Sequence, residues 1–513
     1  MTSPSVVTRP QGLIDRTRQA AGAAWSWLRS LPWMAQLLLV LAAATAVARS
    51  PGLVYNGLFD RDEAYLAVMG DVLRGGGTLY VDVIDRKPPL VPYAYALVRE
   101  LSVDMRTVRL VCAIAVLLNG LLVASLVRRL GGGRRGALAG GVLAVLGTAW
   151  FVPSDSQAAN FELWALAPAT GAVLVVVAAR TRREAWPSFL AAGALVALAA
   201  HAKQPFVVVA LPIAWEAVRR RDRARVAVAA AAGAALVTLA LAPLVDLGDM
   251  WRWVWRDNGD YLDGGLSVGR ALAIGFGLTV VFFCFHVPLL YGFWGAAIRR
   301  VRLDSTVVVW WLASLLAIPI GLRFFGHYYQ QLVPPMAALT GVALGASGRW
   351  AWRVVGVATA VATVVLVTIS FAYRPDLTDF TALGRYVQRT TAPDDEILVW
   401  GALPDVYVSA QRGPSGVFLH DGYLTGAWAN RATPLDPSAI VRDPYRERWT
   451  MFLADLGRDP PEIVIDAARP GTDWEHYAPE RYPLGQLLVR CYDEVGRVDG
   501  LPVWRRDHAA CPS

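Results

Sequence analysis

One stretch of the chain, FDRDEAYLAVMGDVLRGGGTLYVDVIDRKPPL at residues 59–90, gathers Asp60, Asp62, Glu63, Asp71, Asp82 and Asp85 beside a lysine, Lys87. Such a set can divide two tasks. A carboxylate lifted by partial desolvation takes a proton, and a compact ammonium neutralises phosphate as a point charge. The lysine is unusual here. Of 49 basic residues only Lys87 and Lys203 are lysines, and the other 47 are arginines. Both lysines fall at expected membrane–water boundaries on the same side. Clustered acids beside a point cation at a bilayer surface suit chemistry on a lipid-linked anion. Further polar groups punctuate the apolar chain in PSDSQAANFE (153–162, with Asp155 and Glu162), HAKQP (201–205) and RFFGHYYQQ (323–331, with Arg323, His327 and Tyr328).

The elements that must position these groups follow from composition. With 513 residues, 55% hydrophobic and 18% charged, the chain is too long for one small domain and too apolar for a soluble one. Apolar blocks such as 107–127, 224–245, 271–298 and 351–372 approach or exceed the ~20 residues a helix needs to cross the hydrocarbon. The expected class is a multi-pass α-helical membrane protein. The net charge of +8 calls for no nucleic acid, because the arginines sit in short loops. Residues 1–31 carry four arginines and no small-residue cleavage site after a short apolar core, so no cleavable signal peptide is expected.

Arginine-rich short loops stay cytoplasmic. Placing the amino terminus and the loops at 128–135, 180–183, 219–225, 299–302 and 349–353 inside predicts spans at 33–49, 107–127, 137–152, 163–179, 188–200, 204–217, 224–245, 271–298, 306–322, 328–346 and 351–372. That is about eleven crossings, with the carboxyl terminus outside. One helix over 188–217 would place the five-arginine loop outside. A break at His201–Pro205 is therefore expected, since proline lacks a donor and disfavours helix in the residue before it. With this topology the polar clusters all land on the outer side.

The expected organisation is a cytoplasmic segment (1–32), a transmembrane domain (33–372) with a first external loop (50–106), and an extracytoplasmic domain (373–513). In the last, strand-like pieces EILVW (396–400), GVFL (416–419) and EIVIDA (462–467) alternate with helix-like pieces at 379–391 and 436–457, the pattern of a small α/β domain. Cys491 and Cys511 are expected to form a disulfide there, between two strands of one hairpin carrying Leu487, Val489, Leu501 and Val503. Cys112 and Cys284 fall inside spans.

The order of these pieces resembles a known family. Asp62-Glu63, then YVDVIDRKPPL (80–90), Asn160-Phe161-Glu162, Lys203-Gln204, and His327-Tyr328-Tyr329 before Pro334-Pro335 look like the type C (GT-C) glycosyltransferases. The resemblance is to the bacterial branch similar to protein O-mannosyltransferases and lipid A aminoarabinose transferases, and it covers about residues 33–345. It implies transfer of a sugar from a polyprenyl phosphate carrier at the outer leaflet, usually with inversion. The partners implied are that donor, the bilayer and a glycan, lipid or protein acceptor, at the cytoplasmic membrane.

On that resemblance the residues take roles. An acceptor hydroxyl needs a base, and Asp62 is the candidate, with Glu63 orienting it or the substrate and Asp60 a weaker rival. The plain alternative is that Asp62 and Glu63 solvate a loop or cap a helix. The departing phosphate needs cations in a water-poor site. Lys87, Lys203, Arg323, His327 and Tyr328 are the donor-phosphate candidates. The alternatives are a snorkelling lysine at 87, a lysine satisfying freed carbonyls at 203 and a structural histidine at 327. Asp82 and Asp85 are expected to shape the turn before Lys87. Either Asp155 or Glu162 supplies the acid that the family places in the second external loop. No cofactor is assigned, and a divalent cation (Mg or Mn) stays open, because some relatives need one, yet the carboxylates lack a dedicated ligand spacing. Trp251, Trp253, Trp255 and Tyr261 are expected to form an interfacial belt rather than a sugar platform. A ligase or polymerase using a diphosphate-linked donor, and a transporter of lipid-linked saccharides, are the competing functions.

Overall fold

The computed structural model describes residues 30–258, 267–299, 301–374, 380–426, 437–467 and 478–511. Most of the expected amino-terminal segment (1–29), together with Tyr261 and Arg300, lies outside these residues. Among the described residues, Trp33–Val54, Met105–Arg129, Phe161–Ala178, Arg223–Ala240, Val268–Phe285 and Arg349–Tyr373 are helices long and apolar enough to cross a membrane. Trp186–Ala202, Gln204–Val218, Val287–Ile298 and Ser305–Ala317 are shorter apolar helices. Gly133–Leu146 and Val333–Gly345 pack against each other within the same bundle.

Two breaks matter for the site. The helix Trp186–Ala202 ends at Lys203, whose backbone is extended (φ −154°, ψ 124°), and the chain resumes as a 3₁₀ turn over Gln204–Val209. The break expected at Pro205 is therefore present, and it turns the Lys203 side chain into the bundle. The expected single span at 271–298 is instead two helices, Val268–Phe285 and Val287–Arg299, meeting at His286. Pro288 explains the division, since it offers no N–H to the preceding turn.

Small residues let the broken helix seat closely. A Cβ added at Gly193 would lie 1.8 Å from the Ala230 carbonyl oxygen, and one at Gly233 would lie 1.9 Å from that of Leu190. The helices Trp186–Ala202 and Arg223–Ala240 thus meet backbone to backbone, the small-residue packing used within lipid.

The carboxy-terminal domain is built on four strands, β1 (Ile397–Trp400), β2 (Ile463–Asp466), β3 (Tyr492–Val498) and β4 (Leu501–Arg506), in the order β1-β2-β4-β3. β1 and β2 are parallel and fully buried, and the β3–β4 hairpin is antiparallel. GVFL is not a strand of this sheet. Its Val417 carbonyl instead accepts from the Ile84 N–H (2.8 Å), docking the domain onto the first loop. Cys491 and Cys511 are bonded, with Cα atoms 5.3 Å apart, but not across two strands of one hairpin. Residues Pro483–Cys491 form a helix with Leu484, Leu488 and Cys491 on its buried face, while Val489 is 87% exposed. The spacing 484/488/491 is helical; the alternation of 487 and 489 was incidental.

The tryptophan cluster also departs from a simple belt. Trp251 and Trp255 are exposed and stacked, whereas Trp253 is buried edge-on against Phe418 and Tyr423 of the carboxy-terminal domain. Arg252 reinforces this contact through Glu447 (2.8 Å).

Candidate active site

Helix Arg61–Arg74 begins where Asp60 caps it, accepting from the Asp62 N–H at 2.7 Å. Capping is therefore done by Asp60, and the Asp62 carboxylate is left to point elsewhere. It meets Lys87, with Nζ 2.9 Å from Oδ1. Lys87 is held from behind. Tyr80, in the left-handed region at φ 72°, sends its hydroxyl to the Lys87 carbonyl (2.8 Å), and Gln204 Nε2 donates to the Arg86 carbonyl (2.7 Å). Asp82 and Asp85 accept from the backbone N–H groups of Thr78 and Arg86, so they shape the turn as expected.

Two more pairs close around the first. Lys203 Nζ lies 3.1 Å from Glu162 Oε1. Asp155 Oδ1 accepts from the His327 backbone N–H (3.1 Å) and lies 2.8 Å from its ring Nδ1. Phe161 links them, with Lys87 4.4 Å and Lys203 5.1 Å from its ring centroid. The Tyr328 ring lies 5.1 Å from Lys203 and 5.0 Å from the His327 ring. Arg323 is buried just before this turn. Asp62, Lys87, Asp155, Glu162, Lys203, His327 and Tyr328, scattered over 267 positions of chain, are thus one neighbourhood.

Glu63 belongs to the frame instead. It is fully buried, pairs with Arg109 (2.6 Å), and accepts from the backbone N–H groups of Phe59 and Ala159. It fastens the first loop to the 153–162 segment rather than orienting Asp62. Arg109 was legible as an ionisable residue inside an apolar helix, the usual mark of a functional or bracing group. Arg49 braces the same segment, donating to the Ser156 carbonyl and to Thr148. Removing one partner of a fully buried pair strands the other, so Arg109→Ala should cost about 3–5 kcal/mol. Thermal unfolding in detergent would show this, and Arg109→Lys, which keeps a cation beside Glu63, should recover part of the loss. An Arg109→Ala midpoint equal to wild type would contradict the bracing role.

The electrostatics separate the acids. Burial and the neighbouring Asp62 carboxylate push Asp60 up to about 7. Burial also opposes charge on Asp62, but Lys87, His327 and Lys203 outweigh it and hold that carboxyl well below the usual carboxylate range. Burial disfavours the Lys87 cation, yet Asp62 and Asp85 more than offset this and raise its pKa. Burial likewise opposes the His327 cation, and Glu162 with Asp155 overcomes it, lifting the imidazole to about 9. A folded value above the unfolded one makes this stabilisation complete below about pH 6.5 and lost as pH rises through about 9. The melting-temperature gap between wild type and His327→Gln should therefore be wide at about pH 6 and nearly closed by about pH 10. A gap independent of pH would remove the histidine cation from the account.

A small cavity opens from Asp62 and Lys87 toward the carboxy-terminal domain, lined also by Tyr65, Asp85, His420 and Tyr423. Tyr65 stacks on His420 at 5.9 Å. Beyond it Asp405 is buried, and burial pushes it up to about 6. Nothing in local spacing marks these domain residues; the docking alone brings them to the site. Among the described residues no three His, Cys, Asp or Glu side chains cluster as metal ligands. Asp62, Asp155 and Glu162 each face a protein cation.

Residues 86–245 match the family model of dolichyl-phosphate-mannose-protein mannosyltransferases. No curated protein matches the chain by sequence. Among solved structures, ArnT from Cupriavidus metallidurans bound to undecaprenyl phosphate is similar at 13% identity with a TM-score of 0.61, over 93% of this chain and 98% of that one. The Archaeoglobus fulgidus oligosaccharyltransferase AglB, in complex with an inhibitory peptide and a dolichol-phosphate, matches at 14% identity and TM-score 0.54, covering 93% of this chain and 75% of that one. The mycobacterial arabinofuranosyltransferase AftD matches at 13% identity and TM-score 0.53, over 92% of this chain but 40% of its own. With a family model matching residues 86–245 and a shared architecture over nearly its whole length, this chain has the multi-pass membrane fold of the type C glycosyltransferases.

Proposed function

We propose that the protein is an inverting glycosyltransferase that moves a sugar from a polyprenyl-phosphate donor to a glycan, lipid or protein acceptor at the outer face of the cytoplasmic membrane. One observation carries the reading: two lysines and a raised-pKa histidine converge beside Asp62 at the end of the bundle that faces the carboxy-terminal domain. In a single displacement the acceptor oxygen attacks the anomeric carbon as the bond from that carbon to the phosphate oxygen breaks. Asp62 takes the hydroxyl proton. The departing phosphate keeps the bonding pair, and its charge is met by Lys87, Lys203 and His327. Arrival of the donor phosphate would draw Lys87 from Asp62 and so raise the basicity of that carboxylate. The lipid phosphates bound by the ArnT and AglB relatives support such a donor. Arginine-rich loops at the other helix ends support the outward orientation.

The value of about 7 at Asp60 favours a second assignment of the base, because a general base works best with a pKa near the operating pH. Purified protein given a radiolabelled sugar on a polyprenyl phosphate should transfer label to envelope acceptors. Transfer only from a diphosphate-linked donor would favour a ligase or polymerase. Movement of the lipid-linked sugar across vesicles without covalent transfer would favour a transporter.

A further inference from the structure

A second concavity lies at the opposite end of the bundle. Helix Phe161–Ala178 has Glu162 in the site at one end and Arg180 just past the other, so its 18 residues place the two on the order of 25 Å apart. There a cavity of about 790 Å³ opens between three loops, 180–183, 219–222 and 302–305. Its lining carries seven arginines (Arg180, Arg182, Arg183, Arg219, Arg220, Arg221 and Arg302) against Glu216, Asp222 and Asp304, a net of four positive charges.

The cavity is braced as well as charged. Arg180 ties its loop to the end of helix Ala210–Val218 and to the start of helix Ser305–Ala317, with Nη2 2.5 Å from Glu216 Oε1, Nη1 2.6 Å from Asp304 Oδ2, and a hydrogen bond to Thr306 (2.8 Å). Arg220 is paired with Asp222 at 2.8 Å. These contacts use up the three carboxylates. Arg182, Arg183, Arg219, Arg221 and Arg302 have no carboxylate within ion-pair distance among the described residues. Orientation in the membrane requires only that such side chains reach solvent. It does not require three loops tied around a shared hollow within the size range of small-molecule sites.

We propose that this cavity binds a phosphate-bearing anion of at least two negative charges. Guanidinium forks match phosphate oxygens two at a time, and a concavity lined by one sign of charge concentrates its potential. Leu130 and Val342 add an apolar wall, so the phosphate could come from a lipid headgroup or from solution. This proposal does not depend on the reaction assigned to the other face.

The test uses the full chain in nanodiscs. One arm titrates inorganic pyrophosphate into neutral-lipid discs by calorimetry. The other counts cardiolipin, whose two phosphodiesters carry two negative charges, retained by the protein from mixed discs, using native mass spectrometry. Pyrophosphate binding identifies a soluble source, and selective cardiolipin retention identifies a lipid one. In either case Arg183→Gln/Arg302→Gln should weaken binding by roughly tenfold or more, and rising salt should weaken it further. A second measurement needs no variant. Bound ligand should slow phenylglyoxal modification of Arg183 and Arg302 while leaving Arg128 unaffected, read by peptide mass mapping. Absence of binding in both arms overturns the proposal, as does equal modification at all three arginines with ligand bound.

Discussion

Asp62→Asn should lower turnover by roughly 10²–10⁴-fold while donor binding survives. The substitution keeps the shape of the side chain and its place at the start of helix Arg61–Arg74, whose cap is supplied by Asp60. What disappears is the oxygen that takes a proton and the charge facing Lys87 at 2.9 Å. Because Lys87 gains freedom to meet the donor phosphate, donor affinity should hold or improve. Single-turnover transfer measured beside equilibrium donor binding separates these effects. Near-normal turnover in a folded Asn variant would remove Asp62 from the role. If Asp60→Asn then abolished transfer, the base would be reassigned to Asp60, whose pKa of about 7 suits it.

Lys87→Ala should reduce transfer by about 10²–10³-fold and weaken donor binding as well, since the cation acts on phosphate before and during departure. Lys203, paired with Glu162 at 3.1 Å on the same Phe161 ring, still meets part of the charge, so the loss stays short of complete. Lys87→Arg should rescue poorly. The position offers a point charge a place 4.4 Å from the Phe161 ring with one carboxylate beside it, and a planar fork needs more room and a second acceptor. Donor KM and kcat measured for both variants decide the matter. Full activity in the Arg variant would show that the preference for lysine here has no catalytic meaning.

Much of this was legible along the chain. Lysines confined to two positions, acids grouped in one loop and a proline after a short apolar run pointed to Asp62 and Lys87 as candidates and to the break at Lys203 before any contact was known. The length of the apolar runs pointed to the membrane helices, because crossing lipid forces backbone groups to pair within each segment, but run length could not see the division at His286. Alternation misled where two periods compete over a few residues, as at Pro483–Cys491.

The sequence by itself determined which segments are apolar enough to be helices in a membrane and which residue types interrupt them, because these depend on neighbours within a few positions. Tertiary structure alone decided the partners. It gave Glu63 to Arg109, Asp155 to His327 and Glu162 to Lys203, and it brought Tyr65 against His420 of the carboxy-terminal domain. Each choice joins groups 41 to 355 residues apart. A buried charge must find an opposite charge or a donor, but only the packed fold fixes which one is within reach.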